Sequence, residues 1–142
     1  MAEPRVSVAV RRLVADRAAH RCEYCLALEA FSPGGYCIEH VMPVAAGGDS
    51  DPANLAFACS GCNAYKSDKT TSLDPVTGRP FRLFHPRRDR WARHFAWSAD
   101  TLRIDGITGI GRCSVAALKL NRSALVNLRR LLLREGLHPP AP

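Results

Sequence analysis

Cys22-Glu23-Tyr24-Cys25, Glu39-His40-Val41-Met42-Pro43, Gly47-Gly48-Asp49-Ser50-Asp51-Pro52-Ala53-Asn54 and Cys59-Ser60-Gly61-Cys62-Asn63-Ala64-Tyr65-Lys66 are the runs on which the fold turns. Two Cys-x-x-Cys knuckles stand 33 residues apart. Each tight turn presents two thiolates, and four thiolates complete a tetrahedral zinc site. A thioredoxin-like redox pair would account for one knuckle and not for two. Cys22, Cys25, Cys59 and Cys62 are therefore read as zinc ligands, and because four thiolates leave no open position the zinc is structural. Cys37 and Cys113 remain, each read as a buried thiol. His20 lies close to the first knuckle, but the four cysteines already complete the set.

Between the knuckles, residues 36–41 are too short and too alternating for a helix and predict a strand. Pro43 ends it, the Gly47-to-Pro52 cluster supplies a loop, and residues 55–58 return as a second strand. Residues 63–68 predict a helix, so the local order is strand, loop, strand, helix. Upstream, Ser7 is a good N-cap, and Val10, Leu13, Val14 and Ala18 fall three or four apart, which predicts an amphipathic helix. Beyond Pro75 and Gly78 the chain reads as irregular and basic, with short strands near 102–104 and 106–110. Residues 114–120 predict one more helix. Ser123 is expected to cap another, whose Leu125, Leu128 and Leu132 stripe packs into a core and ends at Gly136. The expectation is a single α+β domain over 1–142, with a core motif at 22–69 and a basic, helical extension at 79–136.

The net charge of +7 favours polyanionic partners. Its distribution says more. Residues 22–74 carry Lys66 and Lys69 against seven acids, whereas residues 79–134 carry thirteen bases. Arg87, Arg88 and Arg90 stand among Phe84, Trp91 and Phe95, a mixture suited to a partly packed surface that meets phosphates. A solvated basic face is the plainer alternative. The N-terminus lacks the apolar run of a signal peptide, and no stretch approaches the ~20 apolar residues that span a bilayer. A cytoplasmic protein with no membrane partner is expected, and a reducing compartment again favours metal ligation over disulfides.

A Glu-His pair alone is weak, because neighbours on a regular strand leave opposite faces unless the strand bends. The whole phrase, Glu39-His40-Val41-Met42-Pro43, Gly47-Gly48, Asn54-Leu55 and Cys59-x-x-Cys62-Asn63-x-x-Lys66, resembles the HNH endonucleases, including their zinc-knuckled members, over about the middle third of the chain. From His40 to Asn54 is fourteen residues and from Asn54 to Asn63 nine, similar to the HNH domain of RNA-guided CRISPR nucleases. The 83–87 and 110–112 stretches also look like those of stand-alone bacterial HNH proteins.

The resemblance implies a ββα-metal core stapled by the four-cysteine zinc, and an enzyme that hydrolyses phosphodiester bonds in DNA, with RNA as the lesser option. His40 is then the general base, Glu39 and Asn63 hold one catalytic Mg²⁺ or Mn²⁺, and Asn54 braces the loop between the strands. Lys66, one turn after Asn63 on the same helical face, is read either as a contact to a neighbouring phosphate or, equally, as a solvated lysine. The first metal position is more often Asp in this family, and Glu39 reaches one methylene further. Nicking with low sequence specificity is the expected activity. The competing expectation is a noncatalytic, zinc-stabilised module that binds nucleic acid or a protein partner. A RING-like adaptor needs eight ligands, and the chain offers only four suitably paired cysteines.

Overall fold

Ser7 decides where the chain first turns helical, because its hydroxyl accepts a hydrogen bond from Val10 N at 3.2 Å and so caps α1, Val8–Arg17. One amide of the first turn thereby finds the partner the helix itself does not supply. The computed structural model describes residues 6–141; residues 1–5, on which the reading of a leaderless N-terminus rests, and Pro142 lie outside them. Val14 and Ala15 are buried against the strand ribbon, but Leu13, expected on the same face, is 49% exposed. The buried stripe is narrower than the apolar spacing because α1 packs against β2 of a two-stranded ribbon, not a broad sheet.

That ribbon is β1, Cys37–His40, antiparallel to β2, Leu55–Ala58, with Glu39 opposite Ala56 and His40 opposite Leu55. All of β2 is buried. It runs into α2, Ser60–Lys66, whose cap is Cys59: its sulfur accepts from Cys62 N at 3.4 Å. Strand, loop, strand and helix appear in the order expected from the sequence. The helix starts three residues before Asn63, because the second knuckle is itself its first turn.

The described residues divide into two compact units, 6–70 with His85–Asp89, and 71–84 with 90–141. In the second unit, β3, Thr71–Leu73, pairs antiparallel with β4, Pro80–Arg82. The stretch read as irregular is thus a hairpin, invisible to periodicity because its strands are three residues long and mostly exposed. Asp74 closes its turn, accepting from Val76 N at 3.0 Å and from the Thr77 hydroxyl at 2.8 Å, while Arg112 grips both carboxylate oxygens at 2.9 Å.

A single helical turn, α3, Trp91–His94, leads into β5, Phe95–Trp97, which pairs with β6, Ile104–Gly106. The strand expected at 106–110 does not form. Thr108 instead caps α4, Gly109–Leu118, accepting from Gly111 N at 3.0 Å. A Cβ on Gly111 would lie 1.9 Å from the His94 carbonyl oxygen, so this glycine serves close packing of helix on turn. Last comes α5, Ser123–Arg134, with Leu125 and Leu132 buried and the chain leaving the helical path at Gly136, φ +72°. Arg129 joins that buried face, donating to the carbonyls of Leu102 and Leu120 at 3.0 and 2.7 Å and lying over the Trp97 ring. Phe84 and Phe95 are buried too, their rings 5.2 Å apart. The aromatic half of the mixed arginine and aromatic stretch is therefore packing. No helix among the described residues is long and apolar enough to cross a membrane.

Candidate active site

The two knuckles meet. Leu26, at φ +64°, turns the chain after Cys25 so that its amide reaches back to the Cys22 carbonyl at 2.8 Å, and α2 begins on Cys59. The ligand atoms of Cys22, Cys25, Cys59 and Cys62 all lie within 4.8 Å of one another and all four residues are buried. Tetrahedral zinc with Zn–S bonds of about 2.3 Å needs sulfurs about 3.8 Å apart, and Cys25 Sγ and Cys59 Sγ are separated by 3.8 Å. Four cysteines so arranged can hold a structural metal ion such as zinc. Hydrogen bonds from Cys22 and Cys25 hold the Cys59 and Cys62 thiols low, while burial pushes Cys22 up. Cys37 and Cys113 are outside the cluster, and His20 lies between Asp16 and Glu29 at 3.1 and 3.3 Å.

A cleft of about 360 Å³ in the same unit is lined by Glu39 and His40 from the end of β1 and by Asn63 and Asp68 from α2 and the turn after it. On a regular strand Glu39 and His40 would part company. They border one cleft because β1 stops at His40 and the chain bends before Pro43. Glu39 is only 5% exposed. Its Oε2 accepts from the Tyr24 hydroxyl at 2.5 Å, and its Oε1 faces Lys66 Nζ at 2.5 Å. Burial pushes the Glu39 carboxyl up from its ordinary value, against the pull of the Lys66 ammonium.

Lys66, read from the sequence as a phosphate contact or a solvated lysine, is instead 1% exposed, and its ammonium also donates to the Val41 carbonyl at 2.8 Å. His40 is buried as well, with Nε2 3.0 Å from the Ser50 hydroxyl. Asn54 makes three side-chain hydrogen bonds: Oδ1 accepts from Met42 N at 2.8 Å, and Nδ2 donates to the carbonyls of Met42 and Asp49 at 3.0 and 2.8 Å. Asn63 is half-buried one turn before Lys66.

The three arginines separate. Arg87 is ion-paired to Glu23, whose other oxygen accepts from Phe57 N at 2.8 Å; burial pushes the Arg87 guanidinium down to about 10. Arg88 is exposed and borders a groove with Asn54 and His85, and Arg90 is exposed ahead of α3. Sequence reasoning missed Tyr24, Ser50 and Asp68. Tyr24 lies inside a knuckle and Ser50 inside the loop before Pro52, and nothing local marks either. Asp68 carried a faint signal, lying two residues beyond Lys66.

No curated protein and no solved structure matches the chain. Residues 22–69, which supply both the four-cysteine cluster and the cleft residues Glu39, His40, Asn63 and Asp68, match the family model described as HNH endonuclease.

Proposed function

We propose that this protein is a metal-dependent endonuclease that hydrolyses phosphodiester bonds in DNA, nicking one strand at a time with low sequence specificity. The observation that carries the reading is the convergence of Glu39, His40 and Asn63 on one cleft of the HNH domain. His40 accepts the proton of the attacking water, a role suited to an imidazole near neutral pH. Asn54 holds the backbone at Met42 and Asp49, which keeps the turn after β1 in place beneath the base.

Oxygen donors fit a hard divalent cation in this cleft. A carboxylate offers about four lone-pair sites, so Glu39 keeps capacity after Tyr24 and Lys66 have taken theirs. Asn63 adds an amide oxygen, and Asp68 brings a second carboxylate to the lining of the same cleft. Glu39 and Asn63 would hold Mg²⁺ or Mn²⁺, which supplies charge neutralisation at the scissile phosphate and at the leaving oxygen. One cleft per chain addresses one strand. Exposed Arg88 and Arg90 grip phosphates, contacts that position DNA without reading its sequence.

One observation favours a noncatalytic module: both Glu39 oxygens already have protein partners. Incubating supercoiled plasmid with the zinc-loaded protein and Mg²⁺, Mn²⁺ or EDTA separates the two. Nuclease action gives metal-dependent open circles that His40→Ala abolishes, while Asn63→Ala needs more metal and recovers partly at high concentration. A protein that binds the plasmid and leaves it supercoiled under every metal is the noncatalytic module.

A further inference from the structure

We propose that Ser50 is the positioning residue of the base: its hydroxyl holds the His40 imidazole, and Asn54 acts on His40 through it. The inference rests on His40 being the base and names the link by which the loop reaches it. His40 ends β1 and is carried by backbone, but its ring has rotational freedom that no strand register removes. The Ser50 hydroxyl lies 3.0 Å from Nε2. A hydrogen bond at one ring nitrogen fixes which edge of an imidazole is offered and biases its tautomer.

The segment from Met42 to Asn54 is built so that Ser50 has little choice of place. Gly48 N donates to the Pro43 carbonyl at 2.9 Å, and a Cβ on Gly48 would stand 1.8 Å from the Met42 carbonyl oxygen. Only glycine lets the loop pass so close to the carbonyl that Asn54 also holds. Immediately before Ser50, the Asp49 carbonyl accepts from Asn54 Nδ2 at 2.8 Å. Asp49 Oδ1 accepts from Asp51 N at 3.1 Å, bridging over Ser50, and Asp51 Oδ1 accepts from Ala53 N at 2.9 Å. Asn54 N closes back on the Asp51 carbonyl at 2.7 Å. The peptide on each side of Ser50 is thus anchored by a side chain of the same loop, and its hydroxyl is held where it meets His40 at the cleft.

Steady-state nicking of plasmid by the zinc-loaded full chain tests this. Ser50→Ala is expected to lower kcat about 10- to 100-fold, the cost of a misaligned reacting group, with KM for DNA and the melting temperature nearly unmoved. Ser50→Thr keeps the hydroxyl and recovers most of the loss. If Asn54 works through Ser50, the Asn54→Ala, Ser50→Ala double variant loses little more than the worse single variant. Wild-type kcat in Ser50→Ala beside a dead His40→Ala overturns this inference and leaves the nuclease reading standing. Losses that multiply in the double variant overturn the route through Ser50. Full nicking by His40→Ala would instead overturn the base assignment itself. Should Asn54→Ala melt early, Asn54→Asp takes its place in the cycle, since it removes the donor to the Asp49 carbonyl.

Discussion

Arg87 and Arg88 are neighbours in the chain, and their substitution by alanine is expected to fail in different ways. Arg87 is the partner of Glu23, a largely buried carboxylate that also holds the Phe57 amide. Removing the guanidinium leaves that acid short of a partner, at a cost of about 1–3 kcal/mol, so Arg87→Ala should lower the denaturation midpoint and leave the salt dependence of DNA binding alone. Arg88 is exposed. Its replacement should change stability by less than about 0.5 kcal/mol yet lower the slope of log affinity against log salt by about one. Equal salt slopes in both variants would place the phosphate grip elsewhere. The same contrast separates Lys66 from an ordinary surface lysine: the charge runs inward to Glu39 and the Val41 carbonyl. A buried charge pair is weak evidence for net stability, because desolvation offsets much of the attraction, and its clearer consequence here is to fix where the Glu39 carboxylate lies.

Among the elements, the β3–β4 hairpin depends most plainly on charge. Two three-residue strands contribute little by themselves, and the Asp74 side chain ties the turn to α4 through Arg112. The Arg112 guanidinium holds the Asp74 carboxyl well below the usual carboxylate range. A folded-state value below the unfolded one gives stability that is present above the ordinary value of about 3.9 and lost as pH falls through the folded value. Asp74→Asn should therefore melt below the parent at neutral pH, with the gap between the two closing as the solution is acidified. A gap that persists unchanged at low pH would mean that the turn's neutral hydrogen bonds, and not the charge pair, hold the hairpin. This element also marks where sequence legibility stops. Exposed strands of three residues carry no alternation to read, whereas β1 and β2 flank a loop punctuated by Pro43, Gly47, Gly48 and Pro52, residues whose backbone restrictions act locally.

For the molecule as a whole, the first unit holds the four-cysteine cluster and the second has a separate apolar core around Phe84, Phe95, Ile104 and Leu118. About one tightly held zinc per chain is expected, and its removal should act on one unit before the other. Structural zinc contributes on the order of 10 kcal/mol in small zinc-dependent folds. Chelation or Cys59→Ala should therefore abolish hydrogen-exchange protection across residues 22–69 while the amides of α4 and α5 stay protected, as exchange followed by mass spectrometry would read out. Well-folded, zinc-free protein with full protection would remove the brace. The knuckle spacing, the strand, loop, strand and helix order, and the intervals from Glu39 through Asn63 were all legible in the amino-acid string. Cysteine pairing for metal, proline and glycine breaks and N-caps are short-range constraints that few tertiary arrangements override. The tertiary structure alone decided that Lys66 turns inward, that Arg87 braces Glu23, that Tyr24 meets Glu39 across 15 positions and that Ser50 holds His40. Each of those outcomes depends on which polar groups a fold removes from water together, and a buried charge or hydroxyl takes whatever partner lies within hydrogen-bond reach, a choice that chain-local chemistry does not contain.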